Sequence, residues 1–367
     1  MRNKLLLACY EVPGWGGANT FLYTLYERMQ RDGFAIEYAN LVKDDDEPYL
    51  RHTFGKDLGN PSGLADVQTS ILESPLWRVH PGVVDLIRVA KPDLILVCGF
   101  IAAWLMKRAA PDIPLAFITS GCSQIKLLMR AGAIDDFMGF ERSVARGIVF
   151  EARQGDQERA AVEMSDLILL HSPIIRFAFE HFFPGHMGKA YANLISIADC
   201  VYAEAEPFTH LARPFAERDI DVIAVASNWS RPEKNYPLLQ RIAAACDGLR
   251  LHVVGKIEGD HLPGHSHGVV TRRDEIYALL GRSKTIVCPS RFDPAPGVLF
   301  EASAMGCNVV ASPNCGNWEL CNAQLLADSP RAFASRVCRA MTAPYEDNRQ
   351  RFRGGYADLV DTLSAFL

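Results

Sequence analysis

The sequence predicts an α/β protein of two doubly wound domains facing each other across a cleft. Three observations predict it. Short continuous apolar runs, KLLLACYE, DLILVCGF, PLAFITS and DLILLHS, recur in the first half and do not alternate polar with apolar, which is the pattern of strands buried on both faces. Segments of helical period separate them, and strand, helix, strand at this spacing means parallel βαβ units. A second cycle, VIAVAS, RLHVVG, TIVCPS and NVVAS, follows a proline-bearing stretch, and 367 residues are enough for two cores. Both halves therefore read as Rossmann-like.

The helices follow in order. Ala18 to Arg31 and Val83 to Lys91 serve the first cycle, with a long polar helix expected from about Asp136 to Met164. Ala203 to Arg218 holds Pro207, Pro214 and mixed charge and is the expected hinge. Tyr236 to Cys246, Arg273 to Arg282 and Val298 to Met305 serve the second cycle, and a last helix, Tyr345 to Leu367, is interrupted by Gly354 and Gly355. The expected domains are 1–208 and 209–344, with 345–367 packing back on the first.

Composition narrows the partners. A net charge of -5 gives no global basic field, so no nucleic acid is expected. No apolar run nears the roughly 18 residues of a spanning helix, and the apolar start is too promptly broken for a signal peptide. A soluble, cytoplasmic protein is the expectation. The ten cysteines are dispersed without a CxxC pair and read as reduced core residues. The stretch Ser123 to Arg159 carries Lys126, Arg130, Arg142, Arg146, Arg153 and Arg159, which suits either peripheral membrane contact or, given the interleaved acids, a solvated face. His261, His265 and His267 cluster in a loop without cysteine or helical spacing, so no metal is expected there.

Ligands of such sheets sit beyond the carboxyl ends of the strands, so the loops after strands carry the chemistry. In EVPGWGGANTF, Gly16 and Gly17 let backbone amides approach a phosphate or sugar hydroxyl at a helix start, although a plain turn reads the same way. In NWSRPEKNYP, Arg231 and Lys234 follow a strand end and suit a diphosphate, or else form a solvated turn. In GVVTRRDEIYALL, the turn residues Thr271 and Arg272 fall where a base ring would border the cleft. SRFDPAPGVLFEASAMG says most. Its loop ends at Pro296, Gly297 opens a helix whose first amides face the cleft, Glu301 lies one turn inside, and Asp293 stands eight residues earlier. A carboxylate at Glu301 suits the paired hydroxyls of a ribose and one at Asp293 suits a hexose hydroxyl. Helix-dipole partners are the alternative reading, but it leaves Pro294, Pro296 and Gly297 without a purpose.

These segments resemble a nucleotide-sugar glycosyltransferase of GT-B fold and family 4 type. PGWGGANTF is similar to the family's glycine loop, RPEKN to its basic pair, CPSRFDPAPGVLFEASAMGCNVVAS to its acid-x7-acid signature and CGNWEL to its Gly-x-x-Glu. The resemblance implies a retaining transfer of a hexose-type sugar, UDP-linked before GDP-linked, to a hydroxyl acceptor without metal or other cofactor. It implies Arg231, Lys234 and Asp293 as catalytic residues. Gly16, Gly17, Thr271, Arg272, Gly297, Val298, Leu299 and Glu301 would hold the donor, and Asn19, Ser120 and Gly121 would lie on the acceptor side. Three departures stand out: Asp293 replaces the usual Glu, Ser120-Gly121 replaces a common His-Gly, and Arg231 stands closer to Lys234 than the family's Arg commonly does. A non-catalytic nucleotide-sugar-binding subunit, or an epimerase or phosphorylase on the same fold, is the alternative.

Overall fold

The apolar runs become the middle strands of two sheets. The computed structural model describes residues 4–9, 17–43, 49–53, 78–79, 81–119, 121–151, 157–192, 196–246, 248–259, 262, 264–318, 321, 325–326, 329–345 and 355–367. The first sheet contains β1 (Lys4–Cys9), β2 (Ala35–Lys43), β3 (Tyr49–Thr53), β4 (Arg78–Val79), β5 (Leu94–Cys98), β6 (Leu115–Ile118), β7 (Leu167–Leu170) and β8 (Ala190–Ala192). Its order is β4-β3-β2-β1-β5-β6-β7-β8, and only the β2–β3 pair is antiparallel. The second contains β9 (Ile220–Asn228), β10 (Leu251–Lys256), β11 (His265–Ser266), β12 (Ser283–Cys288), β13 (Asn308–Ala311) and β14 (Leu325–Leu326), all parallel in the order β11-β10-β9-β12-β13-β14. Every residue of β5, β6 and β7 is buried, as continuous apolar runs demand.

Each sheet reverses its strand order beside its first strand, between β1 and β5 and between β9 and β12. Crossover connections leave in opposite directions at such a point, and a crevice opens beyond the carboxyl ends. That is where Arg231, Lys234 and Asp293 stand in sequence.

Two expectations need correction. The helix expected from Asp136 to Met164 is two helices, Phe137–Ala145 and Gln157–Met164. Arg146 caps the first, and Gly147 follows with φ of 84°, a left-handed conformation that glycine adopts without strain and that ends the helix. The hinge begins later than Ala203, because the Ser196–Ala205 helix runs into that stretch before two short 3-10 turns at Glu206–Leu211 and Phe215–Glu217.

Arg218 closes the hinge. Its buried guanidinium donates to the carbonyls of Arg213, Ser283, Met305 and Gly306 at 3.1, 2.6, 2.8 and 2.8 Å. Two of these acceptors end the Gly297–Ala304 helix, where a cation is favoured by the helix dipole. The Gly355–Phe366 helix packs on the first domain: Tyr356 N donates to Asp199 Oδ2 at 3.2 Å, and the Arg28 guanidinium lies 3.9 Å from the centre of the Tyr356 ring. Among the described residues no helix is long and apolar enough to cross a membrane. All ten cysteines are free, and eight are buried.

Candidate functional site

Two loops of the second domain are stapled together at the carboxyl ends of β9 and β12. After β9 the chain makes a 3-10 turn at Pro232–Lys234, and Asn235 takes a left-handed φ of 59°. Asn235 Nδ2 donates to the carbonyl of Pro289 at 3.0 Å, and Arg291 N donates to the carbonyl of Glu233 at 2.8 Å. These bonds carry Lys234 to Asp293, with Nζ 2.5 Å from Oδ2. Burial pulls the Lys234 pKa down, but the Asp293 charge outweighs it and the net shift is upward, so the ammonium stays charged.

Asp293 is held by its backbone as well. Its N–H donates to the carbonyl of Asn314 at 3.1 Å, and its carbonyl accepts from Gly316 N at 2.8 Å. Gly316 has no room for a side chain, since a Cβ there would lie 1.9 Å from the Pro294 carbonyl oxygen and 2.8 Å from Ser172 Cβ. Under this bridge the thiols of Cys288 and Cys315 lie 3.5 Å apart.

Arg231 turns to Glu233, with Nη2 2.6 Å and Nε 2.9 Å from Oε1. Burial pushes the Glu233 carboxyl up, yet Arg231 and Lys126 outweigh it and hold its pKa at about 2. Lys126 comes from the first domain, and its Nζ lies 3.5 Å from where a Cβ on Gly121 would be. Cations from both domains thus converge on one buried carboxylate.

The Gly297–Ala304 helix begins after Pro296 with no side-chain cap. Gly297, Val298 and Leu299 form its first turn, and Leu299 N already donates to the carbonyl of Pro296 at 3.0 Å. Glu301 is buried and accepts from Arg273 Nη2 at 3.0 Å. Arg273 also meets Glu204 Oε1 at 2.7 Å and Tyr277 OH at 3.1 Å. Burial works against its charge, but Glu301, Tyr277 and Glu204 outweigh it and raise the pKa. Thr271 and Arg272 are exposed instead, and Arg272 pairs with Asp274 at 2.5 Å. The structure therefore brings together Lys234, Asp293 and Arg231, with Glu301 on the neighbouring helix, but not Arg272. Arg273, next to it, is a residue that sequence reasoning missed, and its place at a helix start beside Arg272 was its only signal.

On the first-domain side, Gly17 and Asn19 belong to the Gly17–Arg31 helix, and Gly16 and Ser120 lie outside the described residues, as do His261 and Glu319. Thr119 and His171, which sequence reasoning did not single out, directly follow β6 and β7. Across the domain boundary, Phe137 N donates to the carbonyl of Arg291 at 3.0 Å, Met138 N to Asn314 Oδ1 at 2.8 Å, and Asn317 Nδ2 to the carbonyl of His171 at 2.7 Å. The rings of Phe137 and Phe292 stack with centroids 5.8 Å apart. His265 and His267 cluster with His252 on β10, and no group of three His, Cys, Asp or Glu among the described residues is arranged to hold a metal.

Solved structures share this architecture over almost the whole chain. Sucrose-phosphate synthase (tll1590) from Thermosynechococcus elongatus superimposes with a TM-score of 0.64 at 15% identity, covering 99% of this chain and 100% of that one. Alr3699/HepE from Anabaena in complex with UDP and glucose gives 0.58 at 15% identity, again over 99% and 100%. The fold is GT-B. Residues 221–343, which hold nearly all of the second sheet, match the family model of glycosyl transferases group 1. No curated protein sequence matches the chain. The lipopolysaccharide outer core galactosyltransferase WaaB is a further GT-B neighbour, at 0.58 and 12% identity over 99% and 100%.

Proposed function

We propose that this GT-B chain is a retaining glycosyltransferase of family 4 type. It moves a hexose-type sugar from a nucleoside diphosphate sugar, UDP before GDP, to a hydroxyl acceptor and uses no metal. The observation that carries the reading is the meeting of Lys234, Asp293 and the uncapped Gly297 helix end at the carboxyl edges of β9 and β12, within the segment that matches glycosyl transferases group 1.

In the reaction the bond between the sugar C1 and the diphosphate oxygen breaks, and a bond from C1 to the acceptor oxygen forms on the same face. The acceptor proton leaves with the diphosphate. The largest demand is charge on the departing diphosphate. Lys234 and Arg231 meet it as a point charge and a fork, and the amides of Gly297 and Val298 add partial positive charge. One such preorganised donor is worth roughly 3 to 4 kcal/mol in a transition state. Glu301 takes the ribose hydroxyls, and Asp293 takes a hydroxyl of the transferred sugar. That one structural neighbour is a complex with UDP and glucose supports the donor class.

A panel of UDP-, GDP- and dTDP-sugars with candidate acceptors tests it, read as release of nucleoside diphosphate. Release from one donor is expected. A silent panel with tight nucleotide binding would make the chain a non-catalytic subunit, and conversion of one nucleotide sugar into another without release would make it an epimerase.

A further inference from the structure

His171 directly follows β7 and Thr119 directly follows β6, the adjacent parallel strand, and both residues are buried. Thr119 Oγ1 lies 3.0 Å from His171 Nδ1 and 3.3 Å from the carbonyl oxygen of Leu169. A threonine hydroxyl has one proton and cannot give it to both. We assign it to the second lone pair of that carbonyl, which already accepts from Thr119 N at 3.2 Å, and on this assignment Nδ1 carries the imidazole proton and donates to Oγ1. Nε2 is then an unprotonated acceptor, and it has no hydrogen-bond partner among the described residues.

The ring stands at the boundary between the domains. The His171 carbonyl accepts from Asn317, and the next residue, Ser172, crowds the position of a Cβ on Gly316, whose N–H donates to the Asp293 carbonyl. Burial, opposed only by the Asp293 charge, pushes the imidazole down to about 4, so it is neutral at neutral pH. A histidine kept for packing alone would be satisfied at both nitrogens or replaced by an apolar residue of the same size. A neutral ring with one anchored nitrogen and one open lone pair, within range of the Asp293 charge, suits a hydroxyl donor.

Resting on the reading of the cleft as a nucleotide-sugar site, we propose that Nε2 of His171 accepts a hydrogen bond from a hydroxyl of the transferred sugar. The first domain then supplies a sugar-specificity residue opposite Asp293. Thr119 acts through it as a positioning residue by fixing the tautomer.

The test uses the full chain with His171→Phe, which keeps ring volume without an acceptor, and His171→Gln, which returns an oxygen near the Nε2 position. Affinities for UDP and for the UDP-sugar are measured by titration calorimetry, with thermal unfolding as the control for folding. His171→Phe should leave the affinity for UDP within twofold and weaken the UDP-sugar about 5- to 10-fold, the worth of one hydrogen bond, with partial recovery in His171→Gln. Among deoxy analogues of the donor sugar, one should bind the unsubstituted and His171→Phe chains equally. Equal loss for UDP and UDP-sugar, or no loss for either, overturns the proposal while the nucleotide-sugar reading stands. Absence of nucleotide binding by the unsubstituted chain removes that reading and the proposal with it. Should His171→Phe fail to fold, Thr119→Val carries the same comparison, with a smaller loss confined to the UDP-sugar expected.

Discussion

The Lys234 ammonium lies 2.5 Å from the Asp293 carboxylate, joining loops 59 residues apart in sequence. Both side chains are mostly buried, at 18% and 12% exposed, so Asp293 is the main charge partner of Lys234. In the proposed reaction a diphosphate arriving beside them would give Lys234 a second anion and free Asp293 for a neutral hydroxyl. The pair is therefore a structural clasp between the two loops.

Lys234→Ala should lower kcat about 100- to 1000-fold, the usual effect of deleting one preorganised charge donor. It also strands Asp293, so stability should fall by about 3 kcal/mol. Urea unfolding of Lys234→Ala, Asp293→Ala and the double variant checks the clasp: the double variant should be less destabilised than the two single losses added together. Strict additivity would mean that the two groups do not interact in solution.

Arg273→Lys keeps the charge but cannot span Glu204, Tyr277 and Glu301 with one planar fork. The KM for the donor should rise about 10-fold with kcat little changed, because ribose binding is shared by ground and transition states. Steady-state kinetics decide it. A fall in kcat at unchanged KM would place Arg273 elsewhere in the cycle.

The buried neutral His171 predicts a pH-dependent stability. Its folded pKa of about 4 lies below the ordinary 6.5, so the unfolded chain binds more protons between these values. Stability is then held above pH 6.5 and lost as pH falls toward 4, by about 2 kcal/mol between pH 7 and pH 5. His252, also held at about 4, adds in the same direction. Urea unfolding at the two pH values should show a smaller difference for His171→Gln than for the unsubstituted chain.

Gly316→Ala should be severe although only a methyl group is added. The Cβ would meet the Pro294 carbonyl oxygen at 1.9 Å and Ser172 Cβ at 2.8 Å, so the Asp293 loop or the domain boundary must move. A loss of about 1 to 3 kcal/mol and a large fall in kcat are expected, read by thermal unfolding and nucleotide release. Gly185→Ala, with open space around it, should be near neutral.

Transfer should proceed at an unchanged rate in EDTA if Lys234, Arg231 and the helix amides carry the leaving charge. Loss of activity on chelation, restored by a divalent ion, would overturn the metal-independent reading.

Much of this was legible because period and punctuation are local. Strands buried on both faces announce themselves as unbroken apolar runs, as β5, β6 and β7 do. The same rule hid β2, whose residues AIEYANLVK mix polar with apolar because side chains such as Glu37 stay exposed. Gly147 cut a helix that the charge pattern alone extended, since a left-handed φ cannot be read from composition.

From its own order of residues the chain determined two parallel α/β cycles, and it put Arg231, Lys234, Asp293 and Glu301 after strands or at helix starts. Those are local facts, and local propensity suffices for them. Only the tertiary structure decided which of two adjacent arginines meets Glu301, that Lys234 clasps Asp293, and that the His171 carbonyl meets Asn317 across the domain boundary. Such pairings depend on where separate strands end in space. No short-range pattern encodes that distance, because it emerges when two sheets and a hinge pack as one.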